Sequence, residues 1–214
     1  MRRALVTAVA AAAFVIPGIV AVAAEAPAPI AAQAQTGSGP NTWMVDTGHS
    51  NAGFSVKHMM ISTVRGTLGP IKGTIDYDGK SLDSIKVDVS IDVSAINTGN
   101  ESRDRDLKGE GFFDVARFPA ATFKSKRVEA AGAGKFKLTG DLTMHGITKE
   151  VVLDVEGPSP AVKTQNGGQK VGASATTILN RRDFDLQYNN LIEAGPVLAD
   201  EIHVTIDIEA SKRG

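Results

Sequence analysis

Ile85-Lys86-Val87-Asp88-Val89-Ser90-Ile91-Asp92-Val93 alternates without a break between branched apolar residues and polar or charged ones. Successive side chains of a strand point to opposite faces, so this segment reads as a strand with one apolar face and one wet face. The same code recurs along the chain. Phe136, Leu138, Leu142 and Met144 interleave with Lys135, Lys137, Thr139, Asp141 and Thr143. Val151, Leu153 and Val155 interleave with Asp154 and Glu156, and Ile202, Val204, Ile206 and Ile208 with His203, Thr205, Asp207 and Glu209. Strands that are apolar on one side only must curl or stack around a shared interior.

Eight strands are expected, near 51–58, 63–77, 83–94, 120–129, 134–144, 149–157, 169–180 and 201–210. Asp78-Gly79, Gly132-Ala133-Gly134, His145-Gly146 and Asn166-Gly167 mark tight reversals between several of them. Short turns imply antiparallel neighbours, because parallel strands need long crossovers. The fold class is therefore all-β, an eight-stranded antiparallel β-barrel. At that strand number the interior is either filled by side chains or holds one small ligand. Gly53, Gly73 and Gly140 lie in or beside apolar faces, with Ala173 and Ala175, and such small residues together leave room inside; each glycine alone is more readily explained by barrel bending. Two connections are long. The span 97–119 holds Asn100-Glu101-Ser102-Arg103-Asp104-Arg105-Asp106-Leu107-Lys108, which reads as a short helix; the span 181–200 reads as a long loop. Insertions of this length tend to carry function or cover an opening.

Outside the barrel, Arg2-Arg3 precede an alanine-rich apolar run that closes in Ala21-Val22-Ala23-Ala24. That is the pattern of a cleaved signal peptide over 1–24, and it points to an exported protein, soluble after cleavage. Residues 25–41 are rich in Ala, Pro, Gln, Gly and Ser and read as a flexible linker, which leaves 42–214 as the domain. The 214 residues carry 23 basic and 24 acidic side chains, a balance unlike that of nucleic-acid binders. There is no cysteine, so thiolate metal sites and thiol catalysis are excluded.

The apolar faces nominate a lining for any internal ligand: Phe54 and Val56, Ile75, the trio Val87, Val89 and Ile91, Phe123, Leu138 and Leu142, and Val204 and Ile206. Phe112 and Phe113 add a greasy underside to the first long connection. His58 shares the face of Phe54 and Val56. It either contacts a head group or is a core histidine bonded to a backbone carbonyl. Arg65, Arg103 or its neighbour Arg105, and Arg181 are the cations available for a phosphate or carbonyl. Asp46, His49 and Ser50 have the residue types of a nucleophile–base set, but sequence adjacency does not supply convergence, and a capped barrel end explains them better. The four histidines have no metal-ligand spacing, and no nucleotide fingerprint calls for a cofactor.

A set of segments in order resembles the YceI family. Trp43-Met44-Val45-Asp46-Thr47-Gly48-His49-Ser50 is followed by Phe54-Ser55-Val56-Lys57-His58-Met59-Met60 and Val64-Arg65-Gly66. Ile96-Asn97-Thr98-Gly99-Asn100, Arg103-Asp104 with Leu107, Phe112-Phe113-Asp114-Val115, Phe118-Pro119, Thr122-Phe123 and Gly140–Lys149 continue the likeness. The resemblance implies a lipocalin-like barrel in the bacterial periplasm. It also implies a pocket for a polyisoprenoid chain such as a polyprenyl phosphate or a quinone tail, and a homodimer in many members. Phe184-Asp185-Leu186 departs from the pattern, where glycine commonly follows the phenylalanine. The expected function is a periplasmic isoprenoid carrier in transient contact with membranes and with no catalytic residues. The alternatives are a lipid-modifying enzyme using Asp46, His49 or His58, and a stress-response partner of a membrane redox protein with a filled core.

Overall fold

In the computed structural model, which describes residues 39–189, 191–192 and 195–212, the 85–93 segment forms a strand at Lys86–Asp92. The chain contributes β1 (Thr42–Val45), β2 (Asn51–His58), β3 (Ser62–Thr67), β4 (Ile71–Asp76) and β5 (Lys86–Asp92). After helix α1 (Glu101–Lys108) come β6 (Ala120–Ala130), β7 (Lys135–Met144), β8 (Ile147–Glu156), β9 (Val162–Lys163) and β10 (Gln169–Asn180). A two-residue pair, β11 (Leu191–Ile192) and β12 (Gly195–Pro196), precedes the long last strand β13 (Leu198–Lys212). The expected signal peptide and nearly all of the 25–41 linker lie outside the described residues.

The strands run antiparallel in the order β3-β2-β13-β1-β4-β5-β6-β7-β8-β10-β9, and β13 also pairs with β10, which closes the sheet. β1 and β2 both pair with β13, so together they form one stave; β3 and β4 form the next. The result is a closed, eight-staved antiparallel barrel of lipocalin-like form. Two expectations shift. The single strand expected over 63–77 is broken at Leu68-Gly69-Pro70, where Gly69 has φ +140 and Pro70 has no N–H to give a ladder. Thr42–Val45, read only as the domain's start, is itself a strand, offset from β2 because residues 46–50 bulge outward. Asp78-Gly79 opens a longer loop rather than a two-residue hairpin, with Asp78 accepting from the backbone of Lys80 and Ser81. His145 (φ 51) and Gly146 (φ 75) do make the tight β7–β8 reversal.

The two barrel ends differ. At one end Trp43 is 1% exposed, donates from Nε1 to Tyr77 O at 2.9 Å and packs with Val171, Ala210 and Ile75. At the other, α1 and the 109–119 segment lie over the opening, and Val93, Ile96, Phe113, Met144, Phe184 and Leu186 form a buried cluster. Asn100 caps α1 by accepting from Arg103 N at 3.0 Å.

Candidate functional site

The barrel is hollow between these ends. An inner cavity of about 160 Å³ is walled mainly by apolar side chains from seven of the eight staves, the β1/β2 stave contributing none, and among the described residues no charged one lines it. An outer chamber of about 680 Å³ lies under α1, and the two meet at a neck of Leu68, Met144, Leu179 and Val204. The β10–β13 ladder runs through twelve consecutive residue pairs, whereas β8 and β10 share only three, so the wall is thinnest at that seam.

The structure brings the nominated lining residues together in two groups. Ile75, Val87, Val89, Ile91, Phe123, Leu138, Leu142 and Ile206 line the inner cavity, and Phe54, Val56, Phe112 and Phe113 the chamber. Val204 lines both. Ala173 and Ala175 also face the inner cavity. The glycines do not make its space. A Cβ at Gly140 would come within 2.5 Å of the Phe123 ring, and one at Gly73, which has φ +140, within 2.2 Å of Asp88 O. Those positions serve close packing and strand bending. Residues that face judgement alone passed over include Leu68, Leu179 and Tyr188: the first two sit at the neck, the third on the chamber rim. Leu68 and Tyr188 belong to loops, where alternation has nothing to report.

The polar candidates separate. His58 lines the chamber half-buried, and among the described residues its ring has no hydrogen-bond partner, so the bonded core histidine is not what forms. Arg103 lines the chamber too, with Nε donating to Thr98 Oγ1 at 2.7 Å and Nη2 to Thr98 O at 3.0 Å, which leaves Nη1 uncommitted. Arg105, two residues on, lines the same chamber exposed, and its side chain has no partner among the described residues. Arg65 is a correction. It is exposed on β3 and lines neither cavity, because its neighbour Val64 takes the inward position and alternation sends Arg65 out.

Arg181 also lines the chamber but is 3% exposed and already engaged. Nε donates to Ala199 O at 3.0 Å, Nη1 to Leu186 O and to Tyr188 O at 2.8 Å, and Nη2 to Asp200 Oδ1 at 2.9 Å. Burial pushes its guanidinium down from the usual arginine range, against the pull of the Asp200 carboxylate. It is a clamp for the 181–200 connection rather than a free head-group donor. The same connection passes through Asp185, whose φ of 57 is the left-handed region that glycine enters freely and aspartate tolerates. The departure from the family pattern therefore falls at a position whose backbone glycine would adopt without strain.

Asp46, His49 and Glu209 lie together on the outer wall, with ligand atoms within 4.8 Å of one another, and they line neither cavity. A cation of the chain's own fills the cluster: Lys170 Nζ is 3.0 Å from Asp46 Oδ2 and bonds Glu209 Oε1. The bond from Lys170, then that from His49, holds the Asp46 carboxyl at a pKa of about 2. The Ser50 hydroxyl is spent on the backbone of Glu209, at 3.2 Å to O and 3.1 Å from N. These contacts tie the 46–50 bulge to β13 and bring no nucleophile to a base.

The comparisons with known proteins place this barrel. A UPF0312 protein of Vibrio parahaemolyticus is 30% identical over 168 residues, 78% of this chain and 84% of that protein. The crystal structure of the Campylobacter jejuni YceI protein superposes with a TM-score of 0.64 at 34% identity, covering 74% of this chain and 90% of that one. A polyisoprenoid binding domain from Saccharophagus degradans shares the fold, with a TM-score of 0.57 at 16% identity over 78% of this chain and 97% of its own. The family model described as the YceI-like domain matches residues 43–210, from Trp43 at the closed end to the last buried residue of β13, and the chain belongs to that family.

Proposed function

We propose that the chain is a binding protein that carries one long apolar lipid, of isoprenoid or quinone type, with its tail in the barrel and its head under α1. The observation that carries this reading is the hollow itself: an inner wall free of charge that widens into a chamber bearing Arg103, Arg105 and His58. Each methylene taken out of water contributes roughly 0.8 kcal/mol, so a prenyl tail needs few polar contacts to bind tightly. An anionic head gains most where donors are free, at Arg105 and at Nη1 of Arg103. The structural likeness to a domain described as polyisoprenoid binding supports the ligand class. Binding without catalysis fits the outer-wall position of Asp46, His49 and Ser50. The leader-like segment over 1–24 supports export to the periplasm, where such a carrier would hold an insoluble lipid in an aqueous space.

Solvent extraction of protein purified from its native host, followed by mass spectrometry, tests the reading. The expected result is one isoprenoid per barrel. A folded barrel that emerges empty, and takes up neither ubiquinone nor undecaprenyl phosphate, would overturn it.

A further inference from the structure

The β2–β3 hairpin turns through Met59-Met60-Ile61. Tight hairpin turns with consecutive positive φ values are made most easily by Asn-Gly or Gly-Gly. Here Met59 (φ 52) and Met60 (φ 57) fill both positions. Long side chains in the left-handed region are strained, and the exposed Met60 gives the turn little burial in return. The turn also wastes apolar surface: Met60 is 52% and Ile61 81% exposed. Strain and exposure at one turn point to a function rather than to stability.

The position of the turn indicates which function. Its root residue His58 and its neighbour Val64 line the outer chamber, and Leu198, paired with His58, lines it too. Met59 N donates to Val197 O at 2.7 Å, which ties the turn to another residue of the chamber wall. Further round the chamber, Tyr188 is 44% exposed and its ring lies 4.5 Å from that of Phe112. The protruding apolar groups thus sit beside the opening of the hollow.

We propose that this turn is a membrane-docking element. Met60 and Ile61 enter the interfacial layer of a bilayer, and the chamber then faces lipid, so a tail passes between bilayer and barrel without crossing water. A second copy of this chain fits the turn less well. Two exposed side chains fall far short of the roughly 800 Å² per partner that stable dimers bury, whereas shallow insertion of a few apolar groups gives the weak, reversible attachment a carrier needs. The proposal takes its purpose from the lipid-carrier reading but is tested apart from it.

The chain has no cysteine, so a single environment-sensitive label can be placed at Ile61→Cys, with a control at Val162→Cys. Val162 is 64% exposed on β9, at the Trp43 end. Both labelled proteins, taken after export and processing, are mixed with phosphatidylcholine vesicles, plain or with brominated acyl chains. The expected result is at least a threefold brominated-lipid quenching of the label at position 61 and none at 162. An unquenched label at 61, or equal quenching at both positions, overturns the proposal. So does concentration-dependent shielding of the position-61 label from aqueous iodide without vesicles, which would assign the turn to a second copy. An empty barrel with a quenched label would sink the carrier reading alone; a loaded barrel with an unquenched label would sink the docking alone.

Discussion

At the scale of single residues, Arg181 shows how the same chemistry serves binding or architecture according to what surrounds it. As a basic residue closing β10 it was a fair head-group candidate. Its acceptors are Leu186 and Tyr188, in an aperiodic segment, and Ala199 and Asp200, at the start of β13, and no sequence pattern brings these two places back to it. Removing the guanidinium leaves buried carbonyls without donors, which is the expensive way to lose a hydrogen bond. Arg181→Met is expected to destabilise the fold by roughly 3–5 kcal/mol in urea denaturation. Arg181→Lys should recover only part of that, because one ammonium cannot span the fork. Asp46 gives a second residue-level expectation. Its folded pKa of about 2 lies below its ordinary value of 3.8, so between those values the unfolded chain binds the extra proton. Stability from Asp46 is therefore complete above about pH 4 and is lost as pH falls through about 2. The melting-temperature gap between wild type and Asp46→Asn should be open at pH 5 and close towards pH 2.

At the scale of elements, alternation was a reliable guide where one face is buried and the other is wet. Val87, Val89 and Ile91 do face inward together, as do Leu138 and Leu142 with Phe136. It failed where the backbone interrupts a stave, at Leu68-Gly69-Pro70, and where a short stretch such as Thr42–Val45 has too few residues to show a period. Helix α1 is legible from its cap and its lack of alternation, and the length of its connection points to a cover over an opening, but whether its arginines face that opening is not legible. Mixed charge on a helix usually means a solvated face, and only the fold places Arg103 and Arg105 over an opening. Because α1 has just eight residues and none is buried, it depends on its cap more than a core helix would. Asn100→Ala removes the acceptor for Arg103 N and is expected to weaken the helix by about 1 kcal/mol. Amide exchange at 103–107 should then quicken roughly fivefold while the β10–β13 ladder stays protected, since local opening and global unfolding are separate events.

At the scale of the whole molecule, the property that matters most was the least legible. The sequence says which faces are apolar, but whether eight such faces meet or stand apart depends on small differences in side-chain volume summed around a ring. The glycines thought to open the interior turn out to accommodate Phe123 and the β4–β5 contact, while the space comes from the girth of the closed barrel and from Ala173 and Ala175. The decisive feature is the neck. Val204 on β13 is 7% exposed and lines both compartments, with Leu68, Met144 and Leu179 around it. A larger side chain there would divide one hollow into two, narrowing the chamber only at its floor and leaving α1 and the arginines in place. Val204→Phe is therefore expected to keep binding of a short prenyl ligand that fits the chamber, and to weaken ligands whose tails must pass the neck. Each five-carbon unit excluded forfeits on the order of 3–4 kcal/mol of transfer free energy, more than a hundredfold in Kd. Titrations with a series of prenyl alcohols of increasing length should thus show wild-type affinity rising with length and the variant's levelling off early. Parallel curves for the two proteins would mean that the tail never enters the inner cavity.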